Sequence, residues 1–274
     1  MTSIGFNHAT SRSIRPAAVA GRFYPEDALA LRTTVEKLLG DTNKTVSGGK
    51  APKAIIAPHA GYIFSGPIAA AAFARFLPDR DQIRRIVLIG PAHYVRVPGF
   101  AAPEWSAFAT PLGVVPVDPG MVAGLRSSRQ FLFSNQPHAQ EHCLEVELPF
   151  LQVVLDQFNV VPLLVGSADT EEVATVLDHL WGGPETRIVV SSDLSHFHDY
   201  QTARRLDAET ARTIVGLEPE ALGEDAACGR IPINGLLEVA RKRGLTPRML
   251  DLRNSGDTAG SRQEVVGYGA FEFG

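Results

Sequence analysis

Short apolar runs of strand length alternate along this chain with longer segments in which apolar residues recur at helical spacing. The runs predict strands at Ala54–Ala57, Ile86–Ile89, Gly99–Ala102, Val114–Val117, Val160–Val165, Ile188–Ser191, Met249–Arg253 and Val265–Glu272. The periodic segments predict helices at Pro25–Leu39, Pro67–Phe76, Pro119–Ser127, Leu144–Phe158, Thr170–Trp181, Tyr200–Gly216 and Pro232–Arg243. In the first helix Leu29, Leu31, Val35, Leu38 and Leu39 fall near one face, and Pro25-Glu26-Asp27 marks its start. Alternation of this kind predicts one α/β domain, an open sheet with helices on both faces. The last two strands, separated by a loop without helical period, are expected to pair antiparallel. No repeat, low-complexity tract or long linker divides the chain.

Composition narrows the function classes. The 274 residues include 26 Lys+Arg and 30 Asp+Glu, a net charge of −4, and 45% are hydrophobic. That is a globular profile, and its mild acidity argues against a nucleic-acid partner held by phosphate neutralisation. The stretch Ala54–Ala74 carries no formal charge, but Pro58-His59, Gly61-Tyr62 and Ser65-Gly66-Pro67 break any single membrane-spanning helix there. No membrane segment and no signal peptide is read, so a cytoplasmic protein is expected. Two cysteines, Cys143 and Cys228, exclude a disulfide framework.

Candidate chemistry gathers where strands end, the usual place for ligands in such sheets. One strand runs into His59, after which Ser65 as a cap and Pro67 in the first turn are expected to start a helix. A second ends at Gly90-Pro91 with His93 just beyond. Neighbouring parallel strands lie about 4.8 Å apart, so the two histidines can converge on one ion; alternatively both strands exit into similar polar loops. A third becomes Ser191-Ser192-Asp193, followed by His196 and His198. Asp193 can orient a histidine, accept a proton or cap a turn, and His196 is a candidate acid/base. In Glu141-His-Cys-Leu-Glu-Val-Glu-Leu-Pro-Phe150, His142 and Glu145 share a helical face and can pair toward the site, whereas Glu147 is expected in solvent. Cys143 reads as a small buried hydrophobe. Cys228, beside Gly229 and Arg230, can be a metal ligand, a nucleophile or an inert buried thiol.

Together these segments resemble the MEMO family, the B component of the AmmeMemoRadiSam system. The resemblance is carried by Arg15-Pro-Ala-Ala-Val-Ala-Gly-Arg-Phe-Tyr-Pro25, Pro58-His-Ala-Gly-Tyr62, Gly90-Pro-Ala-His93, Glu141-His…Glu145…Leu148-Pro-Phe150, Ser191-Ser-Asp193…His196, Cys228-Gly-Arg230 and the closing Gly267-Tyr-Gly269. It implies a three-layer sandwich with a mixed, mostly parallel central sheet, similar in fold to class III extradiol dioxygenases. A single MEMO-like domain over 1–274 follows, with residues 1–14 a loosely ordered segment. It also implies a metal site at His59, His93 and Cys228, with Asp193 and His196 close by. Those dioxygenases use two histidines and a carboxylate; a thiolate in place of the carboxylate is softer and also welcomes Zn(II) or Cu(I) beside Fe(II).

Three functions compete on these residues. The first is a mononuclear non-haem iron enzyme, dioxygenase-like, with His196 as acid/base, Asp193 orienting it, and Tyr62, His142 and Glu145 binding a small substrate. The second is a non-catalytic metal-binding or peptide-binding adaptor using the same cleft. The third is a zinc-dependent hydrolase. Family context adds a radical-SAM protein and a small AMMECR-type protein as expected partners.

Overall fold

A strand covered on both faces must be apolar on both, which is why the most continuously apolar runs form the middle of the sheet. The computed structural model describes residues 13–42 and 49–274. In chain order, β1 (Ile14–Arg15), α1 (Ala28–Thr42), β2 (Ala54–Ala57), α2 (Tyr62–Phe73), β3 (Arg85–Pro91) and β4 (Phe100–Ala102) come first. Next are β5 (Ala107–Thr110), β6 (Gly113–Pro116), α3 (Pro119–Gly124), β7 (Phe131–Phe133) and α4 (Leu148–Val154). After them come β8 (Asn159–Val165), α5 (Thr170–His179), β9 (Thr186–Ser191), β10 (His196–His198) and α6 (Tyr200–Gly216). The chain closes with α7 (Arg230–Arg243), β11 (Pro247–Asn254) and β12 (Val265–Phe273).

The main sheet runs β10-β12-β2-β9-β3-β8-β4-β7, with β11 also on β12. Its centre, β2-β9-β3-β8, is parallel, while β12 joins β2 and β4 joins β8 antiparallel. The antiparallel pairing expected of the last two strands is present in β11 and β12. Helices α2 and α7 lie against the sheet, α1 and α4 pack beside α2, and α5 packs on α7. The molecule is the mixed α/β, three-layer sandwich expected.

Several local readings are corrected. The helix expected from Pro67 begins at Tyr62, with Pro67 inside it, and Ser65 Oγ donates to the Ala60 carbonyl rather than capping. A Cβ on Gly66 would lie 2.9 Å from Leu38, so the earlier start is what packs α2 closely on α1. The helix expected from Leu144 begins only at Leu148. A helix running through from Leu144 needs an N–H from residue 149 to the Glu145 carbonyl, and Pro149 has none. Leu29, placed on the inner face, is exposed; Leu31, Val35 and Leu39 are buried.

Strands β5 and β6 stand apart in a small sheet with β1. Strands β7 and β10 are three residues each, too short for a periodic signal. The loose segment expected over 1–14 lies outside the described residues except Ser13 and Ile14, and Ile14 pairs with Ala107. No helix among the described residues is long and apolar enough to cross a membrane.

Candidate metal centre

Because the central strands are parallel, their C-terminal ends open at one edge. Strand β9 lies between β2 and β3, so the expectation that the two histidine-bearing strands are neighbours is wrong. Their loops instead lean over the end of β9. His59 and His93 then face each other with ring centroids 5.3 Å apart, and Ser191 of β9 lies beneath them.

His59 is buried and held at two points. Its backbone N–H donates to Asp193 Oδ1 at 2.9 Å, and its Nδ1 lies 2.7 Å from Ser191 Oγ. Nε2 is left facing Cys228 Sγ at 3.4 Å. Burial, then the neighbouring imidazoles of His142 and His93, push the His59 pKa well below its ordinary value, so the ring is neutral and able to coordinate. Burial pushes the Cys228 thiol up to about 12.

His93 is held from behind by Glu141. Its Nδ1 lies 2.9 Å from Glu141 Oε1, and its backbone N–H donates to Oε2 at 2.7 Å. The same carboxylate accepts the N–H groups of His142 and Cys143. Burial opposes ionisation of Glu141, but the imidazoles of His142 and His93 beside it hold the carboxyl well below the usual range. A carboxylate behind a histidine fixes its tautomer and directs Nε2 outward, as at metal sites.

His142 stacks on His93 with centroids 4.8 Å apart. One ligand atom each from His59, His93 and His142 lie within 4.8 Å of one another. His142 Nδ1 lies 3.2 Å from Glu141 Oε1, so the same carboxylate stands behind both rings. A tetrahedral ion with bonds near 2.0 Å to nitrogen and 2.3 Å to sulfur puts those atoms about 3.5 Å apart. The His59 Nε2 to Cys228 Sγ separation matches that spacing, and His142 brings a third imidazole into the group. This donor set fits a metal. His93, Glu141 and Cys143 form a second close group, but Cys143 Sγ donates to the Pro91 carbonyl and Glu141 is already saturated.

The other residues singled out divide. Asp193 is at the centre but holds the His59 backbone, while burial raises its own pKa to about 7. His196, on β10, is half-buried, and burial lowers its pKa. Tyr62 turns into the core, its hydroxyl donating to the Val146 carbonyl, and does not reach the mouth. Glu145 does not pair with His142 toward the site. It is fully buried on the other side, accepting from Arg15 at 2.5 Å, from the Ala18 and Val19 N–H groups and from the Tyr24 hydroxyl.

Sequence reasoning missed three polar residues. Glu141 had one signal, its place directly before His142. Ser191 interrupts an apolar strand, a signal in itself. Glu147, expected in solvent, is fully buried and accepts from Ser191 Oγ at 2.8 Å.

Comparison with known proteins follows the same outline. A family model described as Memo-like protein matches residues 15–272. A MEMO1 family protein of Methanosarcina barkeri is 33% identical over 276 residues, covering 94% of this chain and 98% of that protein. One from Aeropyrum pernix is 35% identical, covering 94% and 98%. One from Thermotoga maritima is 33% identical, covering 93% and 97%.

Proposed function

The chain belongs to the Memo-like family, and from that premise we propose that it is a mononuclear metal enzyme carrying out redox chemistry on a small substrate. One observation carries the reading: three imidazoles converge at the open end of a parallel sheet, with the Cys228 thiol 3.4 Å from His59 Nε2 and a cavity alongside it. Structural metal sites are closed by their ligands, whereas catalytic ones keep an open side.

His59, His93 and Cys228 hold the ion in this reading, with His142 against it as a further donor. Glu141 and Ser191 fix the tautomers of His93 and His59, so that each presents Nε2. Asp193 sets the position of His59 through its backbone. His196 takes up or returns a proton at a ring nitrogen, since burial keeps it neutral at neutral pH. Iron(II) is the metal we propose, and when bound it supplies electron-transfer and oxygen chemistry.

The test is metal analysis of protein purified without oxygen, joined to oxygen uptake with a panel of small aromatic and carboxylic substrates. One iron per chain and uptake that disappears in His59→Ala support the reading. Zinc alone, with no uptake, sinks it and favours a hydrolase or an adaptor.

A further inference from the structure

The cavity beside Cys228 has a volume of about 380 Å³, in the range of small-ligand sites. The end of β3 and the loop after His93 form one wall, including Pro91 and Arg96. Gly166, just past β8, forms the back. A Cβ there would fall 1.9 Å from the Val97 carbonyl oxygen, so only glycine lets the two loops close together. Glu224, Cys228 and Arg230 complete the other wall, where α7 begins.

Arg96 and Arg230 therefore share one cavity wall to wall. Among the described residues neither guanidinium has a hydrogen bond or an ion pair, whereas Arg15, Arg85 and Arg187 are each matched to a carboxylate. Two unmatched arginines lining one small cavity attract an oxyanion, and the guanidinium group suits bidentate binding of one. Glu224 offsets one of the two charges, leaving a formal +1. That balance suits a singly charged carboxylate better than a doubly charged phosphate. The first turn of α7 adds the positive end of its dipole on the same side.

We propose that this cavity binds the carboxylate of a small organic acid through Arg96 and Arg230. That the acid is the substrate rests on the reading of the adjacent cluster as a catalytic metal centre. The cation pair then seats the charged end while the rest of the molecule reaches the ligands beyond Cys228.

Cys228 is a built-in reporter, because Cys143 is fully buried. In chelator-treated full-length protein, the rates of Cys228 alkylation by iodoacetate and by iodoacetamide are compared with those of free cysteine, read by mass spectrometry. The iodoacetate-to-iodoacetamide ratio should exceed that of free cysteine on the order of tenfold, the scale of electrostatic focusing in a charged cleft. It should fall to the free-cysteine value in R96Q/R230Q. The R96Q variant alone, at an exposed position, carries the test should the double variant not fold. Benzoate should protect against iodoacetamide where benzamide does not.

A wild-type ratio equal to that of free cysteine, or one unchanged in the variants, overturns the proposal. Protection by inorganic phosphate but not by benzoate overturns the choice of carboxylate. Added Zn(II) reports separately on the metal reading by blocking both reagents. Retained anion selectivity without zinc protection supports the carboxylate site and removes only the metal centre.

Discussion

Arg15 shows how one residue fixes the site from a distance. Its guanidinium is fully buried, donating to the His138 and Glu141 carbonyls and to Glu145. It thereby ties the start of the described chain to the loop that carries Glu141 and His142. Arg15→Met strands Glu145 in the interior without its cation and should cost about 3–5 kcal/mol in urea unfolding, with Arg15→Met/Glu145→Gln recovering part of the loss. Ser191 acts at shorter range, joining His59 Nδ1 to Glu147. Ser191→Ala should weaken metal affinity by roughly 10–100-fold in a chelator competition while leaving the fold intact. His59 and His93 were legible because each directly follows an apolar run. The roles of Arg15 and Glu145 were not, since they meet across 130 positions of chain. No local spacing encodes such a pair.

At the scale of elements, period and capping residues carried most of the information. Helix α6 begins and ends where the pattern places it, with Asp199 accepting from Gln201 and Thr202. Helix α5 opens on a capping box between Asp169 and Glu172. Asp169→Ala should lower stability by about 1 kcal/mol in urea unfolding, with no change in metal content. The pattern failed where an element answers to its neighbours. The chain at Glu145–Glu147 falls inside a segment of helical period but is a buried turn, since Pro149 denies it the helix and Arg15 and Ser191 supply its partners. In β10, Phe197 adopts φ 60° with its side chain exposed. That left-handed conformation is costly for a bulky residue and sits between His196 and His198, where strand pairing with β12 shifts register.

Across the whole molecule the buried carboxyls act on stability with opposite signs. Glu141 has a lowered pKa in the fold, so its contribution is present above the ordinary carboxylate range and is lost as pH falls. Asp207 is the reverse: burial raises its pKa to about 6, against the hydrogen bond from the Ser195 backbone N–H. Its contribution is fully present below its ordinary value and is lost as pH rises through about 6. Stability relative to Asp207→Asn should therefore fall by about 2 kcal/mol between roughly pH 4 and pH 7, read from urea midpoints of the two proteins. What the sequence by itself determined was the longer helices, the strands of the sheet's centre and the strand ends bearing His59, His93 and Asp193, because backbone period and capping are local properties. Its motifs also pointed to the family. Only the tertiary structure decided that β9 separates β2 from β3, that Glu141 stands behind His93, and that Tyr62 and Glu145 face away from the mouth. It also brought Cys228, 169 positions from His59, to 3.4 Å. The physical reason is that strand order and loop convergence are settled by burying the helix and sheet faces against one another, a condition on the whole chain that no window of it contains.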